Sequence, residues 1–156
     1  MKHSYLENNQ KYGGYSNEIY SLIGEKKRVL DIGCSTGTLA KLLNHCKYCR
    51  VTGVDVDPNS LNRANDYCEK VILCDLDCGE DLANKLGEEK FDVIVCGDIL
   101  EHLKYPELLL TSLKNSLSKN GILLASIPNS AFVLMRLKFL FGNFNSSAEF
   151  YGLARG

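Results

Sequence analysis

The chain has 156 residues, 45% hydrophobic and 24% charged, with a formal net charge of −1. This length predicts one domain, the composition excludes a disordered chain, and the balanced charge gives no support for nucleic-acid binding. The apolar runs reach only about five residues against about 20 for a bilayer span, and the N-terminus is too polar for a secretory signal. We therefore expect a cytoplasmic protein with no membrane span.

The seven cysteines point to a reducing compartment, because an odd number without a signal peptide argues against a disulfide framework. Cys46 and Cys49 form a Cys-x-x-Cys pair, and Cys74 and Cys78 are four residues apart. A zinc site with four thiolates is one interpretation. Such sites normally combine two tight Cys-x-x-Cys pairs and only one is present, so we expect ordinary half-buried cysteines and no metal.

Short apolar runs alternate with helical periodicity along the chain. Residues 1–27 are polar, with a weak amphipathic stretch at Tyr15, Ile19, Leu22 and Ile23 that predicts a helical segment. Beyond it we predict five buried strands, at 28–33, 50–55, 70–75, 91–96 and 122–127.

Four helices are predicted between these strands. The first carries Leu39, Leu42, Leu43 and Cys46 on one face, and the second begins at the N-cap Asp57 and Pro58 and continues to about Tyr67. The third covers 81–86. The fourth starts at Tyr105-Pro106, extends to Leu117, and is followed by a turn at Asn120-Gly121. The alternation predicts right-handed crossovers and a doubly wound parallel α/β sheet.

Ligands of such sheets bind beyond the carboxyl ends of the strands. Gly33 and Gly37 follow the first strand and allow a sharp turn before a helix N-terminus. Asp55 ends the second strand, where a carboxylate can accept hydrogen bonds from ribose hydroxyls. Asp75 ends the third strand, placed to receive an adenine amino group, and Gly97-Asp98 ends the fourth. Together they predict a site for an adenosine-bearing cofactor.

The glycine turn differs from a dinucleotide fingerprint. The pattern G-x-G-x-x-G needs its middle glycine for the pyrophosphate, but Ser35 occupies that position and Asp31 lies two residues before Gly33. This arrangement suits a smaller tail such as an amino acid, whose ammonium can meet a nearby carbonyl or, through water, Asp31.

The segments VLDIGCSTGTLAKLL, VTGVDVDPNSLNRA, VILCDLD, FDVIVCGDILEHL and LKNSLSKNGILLASIPN resemble, in order and spacing, the motifs of class I S-adenosylmethionine-dependent methyltransferases. The resemblance covers 28–129 and implies a Rossmann-like core with strand order 3-2-1-4-5. It further implies S-adenosyl-L-methionine as cofactor. The methionine part of the cofactor would lie among Gly33, Cys34, Ser35 and Gly37, and the ribose would bind Asp55, with Val56 next to it in the cofactor site. The adenine would lie at Asp75 and Leu76, and the sulfonium near Gly97, Asp98 and Leu100. Ser35 is a departure, since glycine is commoner there.

The C-terminal part departs further from the family. The family sheet usually ends in an antiparallel hairpin, and the sequence after 129 shows no alternating strand pair. We therefore expect a five-stranded sheet without that hairpin, whose exposed edge at 122–127 is covered by residues 130–141 or by the second subunit of a homodimer. The stretch SIPNSAFVLMRLKFLFGNF resembles a subgroup often found with glycosyltransferases of surface polysaccharides. The organisation expected is an N-terminal helical segment or lid (1–27), the core (28–129) and a C-terminal helix and tail (130–156).

Candidate catalytic residues follow the fourth strand. If the acceptor is an alcohol or phenol, a base helps to remove its proton, and Asp98, Glu101 and His102 are the cluster that supplies one. The alternative is that Glu101 and His102 brace the next helix. A metal motif of the acid-x-x-Glu-His type needs a further histidine downstream, and the others are His3 and His45, so no metal is expected.

The resulting hypothesis is methyl transfer from S-adenosylmethionine to a small-molecule or glycan acceptor. The main alternative is a domain that binds S-adenosylmethionine or S-adenosylhomocysteine without turnover, because the acceptor-side strands are missing. A nicotinamide-dependent reductase is a third interpretation.

Overall fold

The computed structural model describes residues 17–77, 79–128 and 150–155. The strands are β1 (Arg28–Ile32), β2 (Arg50–Asp55), β3 (Lys70–Leu73), β4 (Phe91–Gly97), β5 (Leu117–Pro128) and β6 (Phe150–Arg155). The helices are α1 (Asn17–Leu22), α2 (Thr38–Lys47), α3 (Pro58–Ala64), α4 (Gly79–Leu86) and α5 (Pro106–Lys114), with a 3₁₀ turn at Leu100–His102. None of the helices in these ranges is long and apolar enough to cross a membrane.

The strands form one sheet in the order β3-β2-β1-β4-β5-β6, and each neighbouring pair is parallel. The predicted order of the first five strands is therefore confirmed. β1 and β4 occupy the centre, where the interior of each strand is buried, as expected for strands covered on both faces. This Rossmann-like arrangement brings the carboxyl ends of β1, β2, β3, β4 and β5 to one edge of the sheet.

A sixth strand covers β5, which corrects the prediction of an exposed edge. β6 pairs with β5 from Leu123–Phe150 to Pro128–Arg155. No strand was predicted in this part of the C-terminal tail. Because β6 pairs with 123–128, neither residues 130–141 nor a second subunit is needed to cover this edge. The helix predicted at 130–141 lies outside the described residues. β6 satisfies the backbone donors and acceptors that would otherwise make this edge prone to aggregation.

The boundary between α5 and β5 also differs from the prediction. The helix ends at Lys114, so Leu117 begins the strand instead of ending the helix. The Phe91 amide donates to Ser116 O (2.8 Å). The chain therefore forms its first hydrogen bond to β4 directly after the helix, and the strand begins there. Asn120 and Gly121 lie within β5, at a bulge between the partner pairs Phe91–Leu117 and Val93–Ile122, and not in a separate turn.

The N-terminal helix α1 packs onto the sheet through Ile19, and Ile23 directly after the helix packs there as well; both are fully buried. Its last turn is held by Lys47, whose ammonium contacts the Tyr20 and Ile23 carbonyls. Lys47 ends α2 near the start of β2, at the sheet edge opposite the strand carboxyl ends. The lid remains a prediction, since residues 1–16 are not among those described.

Asp57 begins α3, as predicted, although this helix ends at Ala64 instead of near Tyr67. Its carboxylate accepts hydrogen bonds from the amides of Asn59 and Ser60, both at 3.1 Å, and from the Ser60 hydroxyl at 2.7 Å. These bonds hold the pKa of Asp57 below its ordinary 3.8, the Ser60 hydroxyl first among them. The helix therefore begins at a stable N-cap directly after β2.

We expect Asp57→Ala to lower the thermal midpoint of unfolding at pH 7, because it removes this N-cap. A folded-state pKa below the unfolded value means that the stabilisation is complete above the unfolded pKa and is lost as the pH falls through the folded one. The difference in midpoint between wild type and variant should thus shrink below about pH 4. Calorimetric scans between pH 3 and 7 test this, and a difference that persisted unchanged at pH 3 would contradict the linkage.

Candidate functional site

The turn after β1 is built by two glycines with left-handed backbone angles, φ 74° at Gly33 and φ 76° at Gly37. The amides of Gly33 and Cys34 donate to Val54 O at 2.9 and 3.0 Å, and the Gly37 amide donates to Cys34 O at 2.9 Å. The turn is therefore bound to the end of β2 before α2 begins.

Asp55 links the glycine turn to the start of α3. Its Oδ2 accepts from the Ser35 amide at 2.8 Å, and its Oδ1 accepts from the Asp57 amide at 2.9 Å. A carboxylate has about four lone-pair positions, so two backbone bonds leave room for two further donors. The side chain is half-buried, which keeps those positions accessible. Asp55 can thus order the turn and bind a pair of hydroxyls at the same time.

Close packing behind the turn fixes its position. A Cβ at Gly33 would lie 3.1 Å from Ile99 Cδ1, and one at Gly53 would lie 2.7 Å from Cys34 Sγ and 3.1 Å from Cys68 Sγ. Cys34 is fully buried and its thiol lies against Gly53 of β2, so this side chain supports the turn from behind.

We expect Gly53→Ala to destabilise the fold by about 1–2 kcal/mol, because the new methyl group overlaps the Cys34 sulfur. Urea unfolding measures the change. Cys34→Ala should recover part of the loss in the double variant, since it removes the overlapping atom. Additive losses in the double variant would show that the strain lies elsewhere.

Asp31 is fully buried and acts electrostatically on three thiols, of which Cys34 and Cys96 are buried and Cys68 is partly buried. Burial, followed by the charge of Asp31, raises the pKa of Cys34 and Cys96 above the ordinary range and that of Cys68 to about 12. These cysteines therefore stay protonated at neutral pH and pack as small apolar groups.

The zinc interpretation gains no support from the structure. Cys49 precedes β2 and Cys74 follows β3, so in a parallel sheet they lie at opposite edges. Cys78 is outside the described residues. Within the described part of the chain there is no cluster of three or more histidine, cysteine or acidic side chains able to hold a metal ion.

The predicted adenine region lies past β3. Asp75 is exposed and accepts from the Asp77 amide at 3.1 Å, while Asp77 accepts from the Lys104 amide at 2.9 Å. These bonds connect the loop after β3 to the segment before α5. Val56 is 62% exposed beside Asp55, whereas Leu76 is only 5% exposed and belongs to the core.

The predicted acceptor side follows β4. Asp98 has φ 49°, a left-handed conformation that is uncommon outside glycine. Glu101 Oε1 lies 3.9 Å from His102 Nε2, and Glu101 Oε2 is buried without a hydrogen-bond partner among the described residues. The imidazole is 71% exposed, and Leu100 is buried in the core. The turn after β4 therefore carries two side chains, Glu101 and His102, of the kind that can accept a proton from a substrate.

The sequence analysis did not single out Ser126, which lies near the carboxyl end of β5 and pairs with Gly97. It is fully buried, and its hydroxyl donates to Asp98 Oδ1 at 2.7 Å. The rule that ligands bind beyond strand carboxyl ends, applied to the fifth strand as well as to the first four, is the signal that could have found it.

Comparison of the sequence with known proteins identifies the family of this chain. A family model described as a methyltransferase domain matches residues 7–151. Ubiquinone biosynthesis O-methyltransferases from Glaesserella parasuis and Neisseria meningitidis are 34% and 30% identical over 66% of this chain, and the matches cover 46% and 44% of those proteins. The chain thus spans about half the length of these curated relatives.

Solved structures agree on the fold. A TehB-like S-adenosylmethionine-dependent methyltransferase from Corynebacterium glutamicum superposes with a TM-score of 0.57 at 23% identity, covering 77% of this chain and 68% of that one. Coclaurine N-methyltransferase bound to N-methylheliamine and S-adenosylhomocysteine superposes with a TM-score of 0.57 at 28% identity, covering 67% of this chain and 32% of that one. The chain therefore belongs to the methyltransferase-domain family, among the class I S-adenosylmethionine-dependent methyltransferases that its motifs resemble.

Proposed function

We propose that this chain binds S-adenosylmethionine at the carboxyl edge of its sheet and transfers the methyl group to an oxygen atom of a small-molecule or glycan acceptor. The observation that carries the proposal is the hydrogen bond of Asp55 to the Ser35 amide. It joins the glycine turn and the acidic end of β2 into one rigid site while leaving acceptor positions on the carboxylate for ribose hydroxyls.

The residues present fit this cofactor. Ser35 is exposed beside Asp55, and its side chain crowds the position where a pyrophosphate needs glycine. Val56 offers an exposed apolar surface to a flat base. The proposed methionine side of the site is made by Asp31, Gly33, Cys34, Ser35 and Gly37. The proposed adenine side is made by Asp75 and Leu76, and the proposed sulfonium side by Gly97, Asp98 and Leu100. When bound, S-adenosylmethionine supplies a methyl group attached to a positively charged sulfur. After the methyl group is transferred, the sulfur leaves as part of a neutral thioether.

Glu101 and His102 are the groups that this chain offers for deprotonation of an acceptor hydroxyl. The exposed imidazole is the kind of side chain that acts as a general base, and the Glu101 carboxylate, 3.9 Å from it, can orient the ring. The remaining work of the protein is to align the acceptor and exclude water.

Oxygen is the proposed acceptor atom because the curated relatives are named O-methyltransferases. Their names also favour small molecules. The resemblance of residues 126–144 to methyltransferases associated with polysaccharide synthesis supports a sugar hydroxyl instead. Small-molecule alcohols or phenols and sugars both contain a hydroxyl group that a base such as His102 can deprotonate.

Two measurements test the proposal. Titration calorimetry with S-adenosylhomocysteine should show saturable binding that NADH does not compete with. A methyl-release assay over phenols, amines and oligosaccharides should then show transfer to a hydroxyl. Absence of S-adenosylhomocysteine binding contradicts the proposal, and tight binding without transfer to any acceptor favours a domain that binds the cofactor without turnover.

A further inference from the structure

Ser126 makes an unusually complete contact with Asp98. Its hydroxyl accepts from the Asp98 amide at 3.0 Å and donates to Asp98 Oδ1 at 2.7 Å, and its carbonyl accepts from the same amide at 3.2 Å. Ser126 is fully buried, and its register partner on β4 is Gly97. One residue near the end of β5 therefore binds both the backbone and the side chain of the residue that follows β4.

This contact holds Asp98 in a conformation that it would otherwise rarely adopt. With φ 49°, Asp98 lies in the left-handed region, which aspartate tolerates better than most residues but which remains unfavourable without compensating interactions. The bonds from Ser126 form only when the backbone and carboxylate of Asp98 point back towards β5. They supply the compensation.

The conformation of Asp98 directs the chain onto the glycine turn. Ile99 follows directly, and its side chain lies so close to Gly33 that a Cβ there would be 3.1 Å from it. The His102 amide then donates to Ile99 O at 3.0 Å, closing the short turn that carries Glu101. Asp98 thus sets the position of Ile99 against the glycine turn, and with it the position of the two proposed bases, Glu101 and His102.

We propose that Ser126 is a positioning residue of the methyltransferase site, which fixes Asp98 in its left-handed conformation and thereby seats Ile99 against Gly33. The inference rests on the proposed function, because it assigns the consequence to cofactor binding and methyl transfer. It adds the fifth strand to a site that the sequence placed on the first four.

Ser126→Ala should weaken S-adenosylhomocysteine binding about tenfold in calorimetry, since it removes bonds to a charged group and releases Asp98. Ser126→Thr keeps the hydroxyl and should bind within about threefold of wild type. Ser112→Ala is the matched control, because the Ser112 hydroxyl donates to Leu109 O at 2.7 Å on α5 and its loss should leave binding unchanged. Circular dichroism at the assay temperature establishes that each variant is folded. If Ser126→Ala is not, Ser126→Cys, similar in volume but only a weak donor, takes its place with a loss in the same direction.

A double variant separates positioning from a general structural role. Glycine adopts the left-handed region freely, so in an Asp98→Gly background the further change Ser126→Ala should alter binding by less than about twofold. An equal loss in both backgrounds would overturn the proposal, as would unchanged binding by folded Ser126→Ala. Wild-type protein that fails to bind S-adenosylhomocysteine would instead remove the proposed function itself.

Discussion

Asp55→Ala is expected to weaken S-adenosylhomocysteine binding by about 1–3 kcal/mol, that is, by about five- to 150-fold. Two effects combine in this variant. The carboxylate positions proposed for the ribose hydroxyls disappear, and the Ser35 and Asp57 amides lose the acceptor that they share. The turn between β1 and α2 then keeps only its backbone hydrogen bonds to Val54 O, so the site is less ordered before the ligand arrives.

Two variants control this measurement. Asp55→Asn keeps one oxygen acceptor and should lose less affinity than Asp55→Ala. Asp92→Asn changes a carboxylate that accepts from the Arg28 amide at 2.9 Å, at the opposite edge of the sheet, and should leave binding unchanged. Calorimetry at 25 °C gives all three affinities. Wild-type affinity in folded Asp55→Ala would remove Asp55 from the cofactor site.

The positions of the first five strands could be predicted because each strand carries its own local signal, whereas their order in the sheet was implied by the resemblance to the methyltransferase family. Val93, Val95 and their neighbours in β4 form an apolar run that only a strand buried on both faces explains, and each crossover contains a helix of ordinary length. Asp57-Pro58 likewise marks a helix start by local chemistry alone. These features depend on neighbours in sequence, which is why sequence patterns detect them.

The failures all depend on residues distant in sequence. Leu117 continues the helical spacing of α5, but the Phe91 amide binds Ser116 O and turns the chain into β5. Asn120-Gly121 has the composition of a turn, yet Gly121 lies in a bulge where a Cβ would be 2.9 Å from Phe91 O. β6 has no clear alternation and forms because β5 offers it a free edge. Such tertiary interactions override local preference.

The candidate site follows the same division. Gly33, Asp55 and Asp75 could be singled out because the carboxyl ends of parallel strands meet at one edge. The bond between Asp55 and the Ser35 amide could not be predicted, since it depends on the direction of the turn. Ser126 was missed because a serine near a strand end has no distinctive sequence signal until Asp98 is seen beside it.

Gly37→Ala is expected to destabilise the fold by about 2–5 kcal/mol and to abolish measurable S-adenosylhomocysteine binding at micromolar protein concentrations. Gly37 has φ 76°, which costs a residue with a Cβ about 1–2 kcal/mol. The new Cβ would also lie 2.9 Å from Ala64 Cα and 3.1 Å from Ala64 Cβ, and overpacking typically adds 1–3 kcal/mol. Because one of these atoms is backbone, α2 or α3 must move, and the turn between β1 and α2 moves with them.

Gly87→Ala separates the two contributions to this loss. Gly87 also has a left-handed backbone, φ 59°, but a Cβ there meets nothing within 4 Å. Its substitution should therefore show the backbone cost alone, about 1–2 kcal/mol in urea unfolding, with unchanged ligand binding. The excess loss in Gly37→Ala then measures the contact with Ala64. Equal losses in the two variants would mean that α3 does not press on the glycine turn, and the close packing that holds the cofactor site rigid would have to come from Ile99 and Cys34 alone.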